Sequence, residues 1–222
     1  MRKSMLILLV VVFVSSVYAQ PTIYVDKGRP YVLTVTEGSV GMFETGESWE
    51  TWCLERDEYI YENTPYFIES ISDMALGGGI NVPGGTGDPL GDETAWLYDQ
   101  FRKGTLPSYD GSYAANQSIQ EAIWFLEGEL TWLPSANAEV YRDLAVAAVA
   151  GGWTNDGKYK VVNLYYYEGL GSANDGPDGA YPEKGIRAQS FIIPVVPTPG
   201  AVVLGSIGIG LVGWVRRRKT NC

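Results

Sequence analysis

The chain has 222 residues, with 16 basic against 26 acidic side chains, a net charge of −10 and no histidine. Without histidine no Ser-His-Asp or Cys-His hydrolase and no histidine-ligated zinc site can be assembled, and Cys53 and Cys222, the two cysteines, are too few for a thiolate zinc centre. Six of the basic residues (Arg2, Lys3, Arg216, Arg217, Arg218, Lys219) and no acidic ones lie in the terminal segments 1–19 and 196–222, which leaves the part between them ten basic against 26 acidic residues, a net of −16, and excludes nucleic-acid binding.

In chain order, Met1-Arg2-Lys3 is followed by an apolar run from Met5 to Val14 and by Val17 and Ala19 at the −3 and −1 positions of a cleavage site before Gln20. This layout predicts a secretory signal peptide over 1–19 rather than a permanent anchor, because the run is shorter than the roughly 20 residues that span a bilayer. Residues 20–195 then form one domain, long enough to bury a sizeable core.

The stretch from Thr22 to Phe43 alternates and is rich in Val, Tyr and Thr, which predicts strands broken at Gly28 and Gly38. Trp49 to Ile60 is expected to be a further strand with Cys53 near its middle, and Tyr66 to Ser72 a shorter one. Gly77 to Gly91 is a glycine-rich loop that lacks the Gly-Lys-Ser/Thr ending of a phosphate-binding loop, so no nucleotide cofactor is expected.

The period then changes. Asp92 to Arg102 predicts a helix with acids at its start and bases at its end. A second helix is expected from about Asn116 or Ser118 to Glu127, stopped by Gly128, with Ile119, Ala122, Ile123 and Leu126 on one face. A third runs from Ser135 to Gly151. Strands return at Tyr159–Tyr167 and Gln189–Val195. Asn174-Asp175-Gly176-Pro177-Asp178-Gly179 offers oxygen ligands but no EF-hand spacing, so it is read as a surface turn and no metal site is expected. The fold class expected is α+β: a β-sandwich or barrel with an inserted subdomain of about three helices, followed by a C-terminal single membrane helix.

That helix belongs to the tail, where Pro197-Thr198-Pro199-Gly200 precedes an apolar run from Ala201 to Val215 and the cluster Arg216-Arg217-Arg218-Lys219. The basic cluster is expected to stay cytoplasmic, leaving the domain outside. The arrangement over 196–222 resembles the PEP-CTERM sorting signal of Gram-negative bacteria, with Thr198 in place of the glutamate of Pro-Glu-Pro. The resemblance implies an exosortase-like sorting machinery as partner, and either a membrane-anchored protein or one released to the cell surface. A plain single-pass tail anchor is the alternative. Either way Cys222 lies on the far side of the membrane or on a discarded peptide, and cannot pair with Cys53.

Cys53 is therefore a solitary thiol in an oxidising compartment, where bare thiols are oxidised or scavenged. Bonding its sulfur to the side chain of Gln120 would remove that liability and store an acylating group, an internal thioester. Such a bond needs an apolar setting to resist hydrolysis, which Trp49, Trp52, Trp96 and Trp124 suggest. It also needs backbone N–H groups to stabilise the tetrahedral intermediate, expected here from a helix start at Gln120. The alternative is a small buried cysteine packed on the sheet.

Trp52-Cys53 and Gln120-Glu121-Ala122-Ile123-Trp124 resemble the two motifs of the thioester domains of Gram-positive surface adhesins: an aromatic-Cys pair on an early strand and a later Gln-x-Ala-Ile-Trp on a helix. Ile119 stands where that family carries threonine, and its cell-wall anchoring signal is missing. The resemblance covers roughly Thr51 to Glu168. It implies a Cys53–Gln120 cross-link attacked once, without turnover, by an amine or hydroxyl on a surface polymer, so that the protein is not an enzyme. Two other readings remain. One is a non-covalent structural or matrix protein of the envelope; the other is a glycosidase using a carboxylate pair drawn from Glu55, Asp57, Glu58, Glu127 and Glu129.

Overall fold

The computed structural model describes residues 21–26, 28–37, 39–40, 43–56, 58, 60–61, 64–76, 87–166 and 186–195. Within them run β1 (Thr22–Asp26), β2 (Tyr31–Glu37), β3 (Ser39–Val40), β4 (Phe43–Glu44), β5 (Ser48–Thr51), β6 (Tyr66–Ser72), β7 (Met74–Ala75), β8 (Asp88–Pro89), α1 (Asp92–Lys103), α2 (Tyr113–Leu126), α3 (Ala136–Ala150), β9 (Tyr159–Tyr166) and β10 (Ile186–Pro194). The protein is α+β, with three helices inserted between strands. The long strands make one antiparallel sheet in the order β10-β9-β6-β1-β2-β5, while β3–β4 and β7–β8 form two small ribbons. The expected signal peptide, the sorting tail with its membrane helix, the Asn174–Gly179 turn and most of the glycine-rich loop lie outside the described residues. Among the described residues no helix is long and apolar enough to cross a membrane.

The sequence pattern explains how the sheet is used. In β1, Ile23 and Val25 are buried while Tyr24 and Asp26 face outward, the alternation of a strand with one wet face. In β9 and β10 both faces are covered. Val162, Leu164, Phe191 and Ile193 join one apolar cluster with Ile23, Leu33, Val35, Trp49 and Cys53. Val161 and Ile192 join a second cluster with Leu97, Tyr98 and Phe101 of α1, Ile119 and Ile123 of α2, and Tyr141 and Ala145 of α3. The helices thus lie against the β9–β10 side of the sheet, and the other cluster lines its opposite face.

Two register shifts flank Asn163 of β9, one against β6 and one against β10. Its buried amide fills the irregularity: Oδ1 accepts from Leu76 N–H and the Ser190 hydroxyl, both at 2.8 Å, while Nδ2 donates to Met74 C=O at 3.0 Å and to the Ser70 hydroxyl at 3.1 Å. Every polar atom of that side chain is thereby partnered inside the protein.

The chain after β5 departs from the expected single strand Trp49–Ile60. Pairing with β2 ends at Tyr31–Thr51, and the chain then crosses to β10. Leu54 N–H donates to Ser190 C=O at 2.9 Å, Ile192 N–H to Trp52 C=O at 3.3 Å, and Cys53 bridges Phe191. The Thr51 hydroxyl donates to Ile192 C=O, and the Gln189 amide to Glu55 C=O. These contacts join the two edges of the sheet. Trp52 and Leu54 fall in the helix-side cluster and Cys53 in the other, because successive side chains of an extended segment point to opposite faces.

The helices follow their sequence signals. Lacking a side-chain cap at Gly91, α1 closes on Gly104, whose left-handed φ of 64° a glycine adopts without strain. The side chains of Ser112 and Ser135 cap α2 and α3, and Gly128 at φ 82° turns the chain after α2. Tyr98 O–H donates to Glu50 C=O and Tyr159 O–H to Asp99 Oδ1, at 2.8 and 2.7 Å, which tie α1 to β5 and β9.

Trp52 is fully buried and meets Phe101 edge-on at 5.2 Å, so it carries much of the contact between seam and helices. Replacing it with alanine is expected to cost about 3–5 kcal/mol, read as a lowered urea midpoint with the slope unchanged.

Candidate functional site

Cys53 and Gln120, 67 residues apart, meet in the interior. Gln120 Nε2 donates to Cys53 C=O at 2.8 Å, and Gln120 Oε1 accepts from Cys53 N–H at 3.2 Å. The reason lies in the strand geometry. Along an antiparallel pair the N–H and C=O of alternate residues point to opposite neighbours. Trp52 C=O and Leu54 N–H face β10, so the N–H and C=O of Cys53 face the other way, where β2 has already ended at Tyr31. The glutamine side chain, itself a primary amide, fills the empty place of a neighbouring strand. Both residues are buried, and leaving that N–H and C=O unpaired would carry a full desolvation penalty.

The position of Gln120 differs from the sequence expectation. It lies not in the first turn of a helix but seven residues past Tyr113, well inside α2, because the Ser112 hydroxyl caps the helix earlier by accepting from Ala115 N–H at 3.2 Å. The Asp110 carboxylate, accepting from Ser112 N–H, and the Tyr109–Asn116 side-chain bond fix that start. The helix N-terminus therefore does not face the Gln120 carbonyl. The N–H that does so belongs to Cys53 itself.

The other motif residues divide between the two clusters. Trp52, Ala122 and Ile123 are fully buried on the helix side, as is Ile119, so a threonine at 119 would put its hydroxyl into that apolar cluster. Trp124 packs against the Cys53 cluster together with Trp49, whereas Trp96 packs on the helix side. Cys53 is buried and forms no disulfide among the described residues. Burial pushes its thiol well above the ordinary range, against a weaker opposing pull from the nearby Tyr31 hydroxyl and the charge of Arg29. Glu127 Oε1 accepts from Gly91 N–H at 3.3 Å and so serves the uncapped start of α1.

Of the five acids singled out for a carboxylate pair, Glu58, Glu127 and Glu129 come within electrostatic range of Glu55, joined there by Asp88; Asp57 lies outside the described residues. Asp88 is the member that sequence reasoning missed, since its proline- and glycine-rich surroundings carry no site signal. Glu55, Glu127 and Glu129 are buried. Burial first, then the neighbouring carboxylates, holds Glu55 up at about 8, and burial holds Glu127 up at about 7. Among the described residues no group of three or more His, Cys, Asp or Glu side chains is placed to hold a metal ion. A separate groove of about 440 Å³ between the starts of α2 and α3, lined by Tyr113, Gln117, Glu121 and Ser135, does not include Cys53 or Gln120 in its walls.

The acid cluster has a consequence for stability. Glu55 and Glu127 bind their protons more tightly in the folded chain than in the unfolded one, where carboxyls titrate near 4.5. The stability they contribute is full below that value and is lost as pH rises through about 7 and about 8. Urea midpoints are therefore expected to fall between about pH 5 and pH 9, and Glu55→Gln to flatten the upper part of that decline.

The chain matches no protein-family model, no curated protein and no solved structure.

Proposed function

We propose that this protein is an exported surface protein that carries an internal Cys53–Gln120 thioester for one-time covalent attachment. One observation carries the reading: the carboxamide of Gln120 is held on the backbone of Cys53 in a buried setting, so the group to be acylated and the group that acylates belong to touching residues. Formation would proceed by addition of Cys53 Sγ to the Gln120 carbonyl carbon, with the C–N bond breaking and ammonia leaving with the thiol proton. Cys53 N–H already points at Oε1 and would stabilise the charge that develops there. Burial protects the product from water. An amine or hydroxyl on a surface or matrix polymer would then take the glutamyl group and return Cys53 as a thiol.

The rest of the reading follows the sequence. Residues 1–19 direct export. Residues 196–222, through Pro197, Thr198, Pro199, one membrane helix and Arg216–Arg218, engage exosortase-like sorting machinery and leave the domain anchored or at the cell surface. The domain between is a barrel-like member of the α+β class, supported by the hydrogen bonds that join the two sheet edges.

A second reading has its own support. Gln120 already uses one donor and its acceptor on Cys53, which is what a non-covalent clip in an envelope or matrix protein requires. Intact mass separates the two. The thioester gives a mass short by one ammonia in the wild-type protein, converted to one methylamine adduct on treatment, while Cys53→Ala and Gln120→Ala show their full calculated masses. A full wild-type mass, with a thiol that reacts with iodoacetamide, would leave the non-covalent clip.

A further inference from the structure

The starts of α2 and α3 border a groove of about 440 Å³, the size of a small-ligand pocket. Hydrogen bonds fix its frame. The Ser118 hydroxyl donates to Ala114 C=O at 2.9 Å and lies 3.1 Å from the Ser135 hydroxyl, which caps α3 by accepting from Ala138 N–H. Gln117 and Glu121, four residues apart on α2, share one face of that helix. Gln117 Nε2 donates to Glu121 Oε1 at 2.7 Å. Glu121 lines the groove and is only 7 % exposed, and its second oxygen, Oε2, has no hydrogen-bond partner among the described residues.

We infer that this groove binds, without any covalent step, a primary ammonium carried on an alkyl stem. The ammonium sits on Glu121 Oε2 and the stem lies along Tyr113 and Pro134. Free diamines and lysine side chains both carry that chemistry. The inference stands apart from the thioester reading, because neither Cys53 nor Gln120 lines the groove.

The ligand class follows from what Oε2 lacks. A buried carboxylate with one oxygen unpaired is costly until a hydrogen bond and a compensating charge reach it. Among the described residues no basic side chain lines the groove, and Arg142 of α3 is engaged with Asp143 at 2.6 Å and with the Phe125 ring. The first turn of α3 forms another wall, where the positive end of its dipole suits a carboxylate, but it makes no hydrogen bond to Oε2. The absent partner is therefore a donor that carries positive charge. An ammonium brings three donors and no acceptor. A guanidinium binds best to two free oxygens, and Gln117 already holds Oε1. Ala114, Pro134 and the ring of Tyr113 offer apolar surface to a methylene stem, and that ring, on a residue 75 % exposed, is open to it. The net charge of −16 over residues 20–195 draws cations in from a distance.

Saturation-transfer NMR on the full-length protein tests this with two probes, cadaverine for a free diamine and Nα-acetyl-lysine N-methylamide for a lysine side chain, each beside its fully N-acetylated form. Saturable binding of one or both amines is expected, lost on acetylation and weakened at least roughly tenfold in Glu121→Gln. The probe that binds identifies the source. Reversal on dilution, with no gain in intact mass, keeps this binding distinct from acyl transfer at Cys53. No saturable binding of either amine up to roughly 50 mM, where one ion pair and a short stem should register, overturns the proposal. Equal binding to Glu121→Gln also overturns it, because the amine would then be held by the acidic surface at large. So does equal binding of the acetylated probes. If Glu121→Gln fails to fold, Tyr113→Ala takes its place, since that side chain is largely exposed. Its loss should weaken binding about threefold, and an unchanged affinity there overturns the proposal.

Discussion

The seam between residues 51–55 and 189–192 is the contact on which the rest depends. A sheet of six antiparallel strands has two edges with unpaired backbone groups, and here the chain leaving β5 uses one edge to satisfy the other. The same five residues feed both apolar clusters, with Trp52 and Leu54 toward the helices and Cys53 toward the far face. Sheet closure and helix docking are therefore coupled. A change that frees the seam would expose strand edges and withdraw the apolar residues on which α1 and α2 rest.

Closing the sheet in this way creates one local deficit. Because the chain changes neighbour at Thr51, the N–H and C=O of Cys53 lose the strand that would have paired them. A helix side chain, that of Gln120, meets them instead. This explains why a fully buried glutamine can sit in the middle of α2, where a polar group without partners would be costly. It also gives α2 a polar link to the seam, beside the apolar contacts of Ile119, Ala122 and Ile123 with the cluster that holds Trp52 and Leu54.

How much of this was legible in the sequence depends on range. The alternation of Tyr31–Val35, the short strand Tyr66–Ser72, the helical pattern of Asp92–Arg102 and the helix start at Ser135 are local signals, and the structure agrees with them closely. The start of α2 lies earlier than its pattern suggests because Tyr113-Ala114-Ala115 carries little apolar periodicity and its cap depends on Ser112 and Asp110 together. The end of β5 falls at Thr51 rather than further on because the partner strand changes there while Trp52, Cys53 and Leu54 continue the extended pattern, and composition does not record a change of neighbour. That Asp88 joins Glu55 and Glu127 was invisible for the same reason: it comes from a separate element, and acids are abundant throughout the chain. The pairing of Cys53 with Gln120, by contrast, could be named, because a lone thiol and a Gln-x-Ala-Ile-Trp helix each limit what the other can be.

The glutamine alone does not distinguish a clip from a reactive bond, since both need an amide at that point. The sulfur is more telling. A backbone clip uses only the N–H and C=O of residue 53, and any small side chain facing the apolar cluster would serve it. Acyl transfer, by contrast, needs the sulfur itself, so the side chain at residue 53, and not its backbone pairing, is where the two accounts part.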